Sequence, residues 1–445
     1  MSELTSTTDP AARTSFGRSV PRRTFLRRLL GLSAGAVAAA LVPAGALAAA
    51  PPRRERLIRE LRVIKVAGTR TVVRGVDEQP HITRKNSGRP MPVYRDAGPQ
   101  ETTEPLDHHY LEIVTEGGHR GFYGHLDWDA TPKLGQIARQ LVGEDALAIE
   151  HLFDRMVRTD RFSHGHQYRK SVAAVDNTLW DLRGRMLGMP VWQLLGGPTR
   201  EAIPVYVSCL GFSVEPERAA AKAAELLAGG FPMQKWFAAY GPADGQAGLV
   251  RNVELAGALH EALGRDGEFA IDVSSAWSVP YAMRWAQRVA AFGVKWLEEP
   301  VPMDQAAAYR RLIADSPVPI AAGEHFGGSG EAARFLEMGL PYVQADPEWC
   351  GGVSELVRIA HLAAAAGAQV YPHGHNIYAQ LHVVAAMPPT VCPRAEYLTN
   401  WVAYKTHFEK APPRTTNQFL DLPAAPGFGI ELDEDRIETR SEYVA

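Results

Sequence analysis

Asp272, Glu298 and Glu324 stand 26 residues apart along the chain, each closing a short apolar run: EFAID, VKWLE and PIAAGE. Asp346 follows 22 residues later in YVQAD, and His373 another 27 later in VYPH. A step of that length holds one strand, one helix and two short loops. The pattern therefore places five chemically useful side chains at the same end of five consecutive parallel strands. In a β/α barrel that end carries the active site.

The stretches between these residues agree. Helical periodicity runs over 219–227, 253–263, 280–291, 306–314, 331–338 and 353–366, with strand-like blocks between them from about Val205 to Met387. Alternation of buried strands with helices predicts a parallel α/β fold. The regular step favours a closed barrel over a doubly wound sheet, where ligating groups would not recur on so many consecutive strands. Upstream, 61–66 and 110–114 alternate like strands, with a turn at 117–121. A helix follows over 171–187 and stops at Gly188 before Pro190. The polar stretch 77–103 is long enough to be a lid or binding loop.

Three clustered carboxylates without a cysteine or a neighbouring histidine pair favour a hard cation, Mg²⁺ ahead of Mn²⁺. Without one, three converging anions would raise each other's pKa. The competing reading, rim carboxylates paired with Lys and Arg, suits one such residue better than three at equal spacing. His373 beside Asp346 suits acid–base work near neutral pH, because the carboxylate fixes the imidazole tautomer. Lys235, on an earlier strand, is placed to pair with a substrate carboxylate.

Composition adds limits. A chain of 445 residues, 46% hydrophobic and with net charge −3, is long enough for a barrel and a second domain. Near-neutral charge argues against general nucleic-acid affinity. Three cysteines imply no disulfide framework. Residues 1–50 read as a twin-arginine export signal: Arg22-Arg23-Thr24-Phe25-Leu26, an Ala/Gly/Leu-rich run, and Ala46-Leu47-Ala48 for cleavage. Beyond it no segment is apolar enough to span a membrane, so a periplasmic or extracellular location is expected.

The motifs resemble the enolase superfamily in its mandelate racemase-like subgroup. Trp296-Leu297-Glu298-Glu299-Pro300 and Gly323-Glu324-His325 are similar to that family's second and third ligand motifs, and Val175–Leu182 with Pro190–Gly197 to the helix leading into its barrel. Closer still is a resemblance to rhamnonate dehydratase-type acid-sugar dehydratases, carried by Gly323-Glu324-His325, Trp349-Cys350-Gly351-Gly352, Pro372-His373-Gly374, Tyr240–Gly245 and Pro92–Asp96.

The resemblance implies a (β/α)7β TIM-like barrel at 199–395, an N-terminal α+β capping domain at 51–198, and a segment at 396–445 completing the cap. It implies one Mg²⁺ per active site on Asp272, Glu298 and Glu324. His373, Asp346, Lys235 and Glu396 would be catalytic, Glu396 as the late glutamate that bonds the substrate carboxylate. His325, Phe237 and Ser274 would line the substrate pocket, with His81, Arg84, Tyr94 and Arg95 closing over it from the lid.

Two departures matter. Many relatives carry Lys-x-Lys where this chain has Lys235-Trp236-Phe237, so one face lacks a base and two-base racemisation is disfavoured. Ser274 stands where relatives often carry asparagine. The expected reaction is dehydration of a sugar acid, an aldonate such as rhamnonate, to a 2-keto-3-deoxy acid, by a homo-oligomer that acts on this small molecule. Epimerisation, racemisation or cycloisomerisation is the alternative within the superfamily. An exported, non-catalytic sugar-acid binding protein is the alternative outside it.

Overall fold

The computed structural model describes residues 50–74 and 100–445. Residues 1–49, nearly all of the expected export signal, and the expected lid residues His81, Arg84, Tyr94 and Arg95 lie outside the described residues. Among the described residues no helix is long and apolar enough to cross a membrane.

The cap is an antiparallel sheet of β1 (Ile58–Arg74), β2 (Gln100–Thr115), β3 (Arg120–Gly124) and, from the far end of the chain, β13 (Thr439–Val444), ordered β13-β1-β2-β3. Apolar residues on alternate positions of β1, such as Leu61 and Val63, are fully buried, while Arg62 between them is not. Three helices cover this sheet: α1 (Leu134–Leu141), α2 (Ile149–Thr159) and α3 (His166–Leu187). β3 lies directly on α3, and a Cβ at Gly121 would come within 2.5 Å of Leu182 Cβ and Thr178 O, so only glycine permits that approach. A short α4 (Val191–Leu194) leads into the barrel.

The barrel strands are β4 (Ala202–Ser208), β5 (Met233–Phe237), β6 (Glu268–Asp272), β7 (Leu297–Glu298), β8 (Ile320–Ala322), β9 (Tyr342–Val343), β10 (Gln369–Val370) and β11 (Ala395–Leu398), hydrogen-bonded as β11-β4-β5-β6-β7-β8-β9-β10. Every pair in this series runs parallel. The intervening helices are α5 (Pro216–Ala228), α6 (Gly245–Leu263), α7 (Val279–Val289), α8 (Ala306–Asp315), α9 (Ser329–Glu337), α10 (Val353–Ala366) and α11 (Ile377–Ala386); α12 (Thr399–Lys405) follows β11. Tyr206, Met233, Ala270 and Ala321 on these strands, with Trp296 just before β7 and Tyr371 just after β10, form one buried cluster: a packed core rather than a pore. The fold is thus a β/α barrel under an N-terminal cap.

The barrel does not end at 395. Glu396 sits inside β11, a barrel strand, because β11 pairs with β4 from Ala395↔Val205 to Leu398↔Ser208. The segment beyond is shared as well: β12 (Phe419–Asp421) pairs antiparallel with β4, and only β13 joins the cap sheet.

Candidate active site

Asp272 and Glu298 are the last residues of β6 and β7. Glu324, Asp346 and His373 lie in the loops just after β8, β9 and β10, and Glu396 lies on β11. The barrel brings all six to one end. One carboxylate oxygen each from Asp272, Glu298 and Glu324 can be chosen so that the three lie within 4.8 Å of one another.

Burial makes this cluster electrostatically tense. Glu298 is fully buried and its carboxyl is pushed up to about 8 by desolvation. Asp272 is pushed up to about 6, chiefly by burial, with Lys235 pulling the other way. Glu324 is raised too, by burial. Lys235 is the cation among them: its Nζ lies 2.5 Å from Glu298 Oε1, 2.8 Å from Glu396 Oε1 and 3.5 Å from Asp272 Oδ2. Desolvation works against its charge, but Glu298 and Glu396 outweigh it and hold the ammonium well above its ordinary pKa. Glu396 is held below the carboxylate range because Lys235 and His373 outweigh its own burial.

The trio fits a hard divalent cation. Its donors are all carboxylate oxygens, they converge from three strands, and burial makes their simultaneous ionisation costly unless positive charge is supplied. Glu298 Oε2 is oriented by Trp296 Nε1 at 2.9 Å and by the Gln344 amide, and Asp272 Oδ1 accepts the Ser274 N–H at 2.8 Å. Such outer hydrogen bonds fix ligating oxygens in place.

His373 Nδ1 donates to Asp346 Oδ2 at 2.5 Å, which leaves Nε2 facing the trio, 3.6 Å from Glu324 Oε2. Desolvation disfavours the imidazolium, yet Glu324, Glu396 and Asp346 together push His373 up to about 10. On β5, Phe237 lies beneath the Lys235 ammonium, 5.7 Å from its ring centre. No proton-transferring side chain stands at that position. Ser274 turns left-handed with φ 50°, beside Ser275 (φ 61°) and Glu299 (φ 37°). Three such residues around the candidate ligands mark a backbone shaped by something other than local preference.

His325 is brought to the same place, but as half of a second carboxylate–imidazole pair: its Nδ1 lies 2.9 Å from Glu299 Oε2. Glu299 adjoins the candidate ligand Glu298, and nothing in its own spacing distinguishes it. Trp349 was visible only as part of a motif. Its ring packs against His325, His373 and His375 at 5.4, 5.0 and 4.9 Å between centres, forming one wall of the site. A largely buried polar group of Asp127, Lys170, His375 and Lys405, with only Lys405 fully enclosed, adjoins that wall, and no sequence spacing announces it.

Comparison with known proteins agrees with this fold. Residues 117–196 match the model of the mandelate racemase / muconate lactonizing enzyme N-terminal domain, and residues 218–436 match that of the enolase C-terminal domain-like family. The 3,6-anhydro-D-galactonate cycloisomerase of Zobellia galactanivorans superposes with a TM-score of 0.67 at 22% identity, over 86% of this chain and 100% of that one. A racemase from Streptomyces coelicolor A3(2) with bound magnesium gives 0.68 at 24%, over 86% and 99%. An enolase of the mandelate racemase subgroup from Agrobacterium tumefaciens gives 0.67 at 24%, over 87% and 99%.

Proposed function

The chain belongs to the enolase superfamily, in the mandelate racemase / muconate lactonizing enzyme family, and from that premise we propose that it is a Mg²⁺-dependent dehydratase of sugar acids. The carrying observation is the asymmetry of the site: one imidazole–carboxylate couple, His373–Asp346, faces the carboxylate trio, while the position on β5 that would need a second base holds Phe237. Lys235 offers no substitute, since its ammonium is committed to Glu298 and Glu396. His325 shares Trp349 as a neighbour with His373 and so belongs to the same side. A racemase must deliver a proton to each face; this arrangement serves one.

Asp272, Glu298 and Glu324 would hold the Mg²⁺. When bound, the ion acts as a Lewis acid toward the substrate carboxylate, stabilising negative charge that develops there. Lys235 Nζ would meet the developing charge, and Glu396, ionised beside it, holds that ammonium in place. His373 Nε2 takes the proton from the carbon next to the carboxylate, with Asp346 fixing the tautomer that leaves Nε2 free. Glu324 is foremost among the carboxylates that raise His373, so a cation held by Glu324 would offset that effect. The protonated imidazole then donates to the hydroxyl leaving the next carbon, giving an enol that becomes the 2-keto-3-deoxy acid. Aldonates such as rhamnonate are the substrate class carried by the sequence resemblance.

The test is a library of sugar acids assayed for 2-keto acid formation, with and without EDTA, followed by Mg²⁺ add-back. Turnover of an aldonate that chelation abolishes and Mg²⁺ restores is expected. Stereochemical inversion at the carbon next to the carboxylate without loss of water would overturn the dehydratase reading in favour of an epimerase.

A further inference from the structure

The couple that acts on the substrate is gripped from outside the barrel. Asp346 and His373 stand on separate loops, and both loops are bonded to one short stretch of the cap, residues 123–127. On the β9 loop, the Tyr123 hydroxyl donates to Glu348, and Trp349 Nε1 donates to Asp127 Oδ2 at 2.9 Å. On the β10 loop, His375 Nε2 bonds Asp127 Oδ1, and the Asn376 amide donates to the Gly124 carbonyl at 2.8 Å.

Asp127 is the one residue in both grips. Through Trp349 it fixes a ring that packs on the His373 imidazole at 5.0 Å. Through His375 it fixes the backbone N–H that donates to Asp346 Oδ2 at 3.2 Å, the same oxygen that accepts His373 Nδ1. Lys170 Nζ at 3.1 Å and Lys405 Nζ at 3.7 Å supply cations around it. His375, Lys405 and Lys170 together outweigh its burial and keep it ionised. A carboxylate only 18% exposed that spans two elements with this many partners is a rigid joint, since each bond strengthens where water is scarce.

The geometry points to Asp127 as a positioning residue: the cap, through this one carboxylate, sets where His373 stands relative to the carboxylate trio. This rests on His373 being the base of the proposed reaction. A shift of about 1 Å in a reacting group costs on the order of a hundredfold in rate, so the joint matters without touching substrate.

The experiment uses full-length protein carrying Asp127→Asn, Trp349→Phe or both, with Mg²⁺ present. The first readout is the ¹⁵N chemical shift of the His373 ring nitrogens in histidine-labelled protein at one fixed pH, with the signals identified by their loss in His373→Gln. Asp127→Asn is expected to move them, whereas Asp154→Asn on the exposed face of α2 leaves them in place. The second is kcat against KM on a turned-over sugar acid: kcat falls about 10- to 100-fold with KM nearly constant, as for a misplaced reacting group. The double variant falls little further than Asp127→Asn alone, because Trp349 and Asp127 act through one link. A lowered Tm with kcat retained would make Asp127 merely structural, and a raised KM with kcat retained would place it on the substrate; either overturns the inference. If wild type turns over no sugar acid, the functional reading fails, but unmoved His373 signals would still overturn the positioning role and moved signals would support it.

Discussion

Lys235→Met removes the one ammonium lodged among the buried carboxylates while keeping the length of the side chain. Its Nζ contacts Glu298 at 2.5 Å, Glu396 at 2.8 Å and Asp272 at 3.5 Å, and it is 1% exposed, so water cannot replace it. Breaking a buried pair by deleting one partner costs about 3–5 kcal/mol. With an unfolding entropy of about 2 cal/mol/K per residue over a chain of this length, that is a fall of about 3–6 °C in Tm. Mg²⁺ should return much of it, because a divalent cation on Asp272, Glu298 and Glu324 supplies the missing charge, and returns more in the variant than in wild type, where Lys235 already shares those oxygens. The assay is thermal unfolding of EDTA-stripped protein titrated with Mg²⁺, wild type and variant side by side. Equal Mg²⁺-induced shifts in both proteins, or a stripped variant as stable as wild type, would refute the account of Lys235 and the trio as one electrostatic unit.

His373→Asn should lower dehydration by more than about 10²-fold, the low end of what general acid–base help contributes, while Asp346→Asn, which leaves the imidazole in place, costs less; robust activity in the His373 variant would reveal another base. Glu409 is buried between the Tyr110 and Tyr378 hydroxyls and is pushed up to about 8 by desolvation. Its folded pKa exceeds its unfolded one, so the folded state binds the extra proton and stability declines as pH rises from about 4.5 to about 8. Glu409→Gln should flatten that slope in urea unfolding at pH 5.5 and 8.5, and an unchanged slope would remove Glu409 as its source. Arg22→Lys with Arg23→Lys should leave an uncleaved precursor in the cytoplasm, as shown by fractionation; continued export would exclude the twin-arginine route.

The barrel could be read from the sequence because its candidate site residues repeat with the strand–helix step, and a period survives without knowledge of any contact. α10 was read with its observed bounds for a related reason: it exposes one face and buries another. α11 went unread because every one of its ten residues is buried, which erases the amphipathic signal. The same contrast divides the site. Asp272, Glu298, Glu324, Asp346 and His373 announce themselves by register. Asp127, Lys170 and Lys405 come from a cap loop, a cap helix and a helix beyond the last barrel strand, so only folding brings them together. Glu299 was overlooked beside Glu298 because adjacent side chains on a strand end point apart, and only its left-handed turn swings it toward His325.

The order of strands in the cap sheet has a consequence for biogenesis. β13 lies against β1, with Arg62 opposite Val444 and Ala67 opposite Thr439, yet nearly the whole described chain is translated between them. The β1 edge stays unpaired until β13 has been synthesised, so the cap sheet completes only after the barrel strands have been made. The barrel strands, each paired mostly with its sequence neighbour, can assemble meanwhile. Closure of the cap therefore brings the two ends of the described chain into one sheet, and an unpaired β1 edge marks a chain in which it has not yet happened.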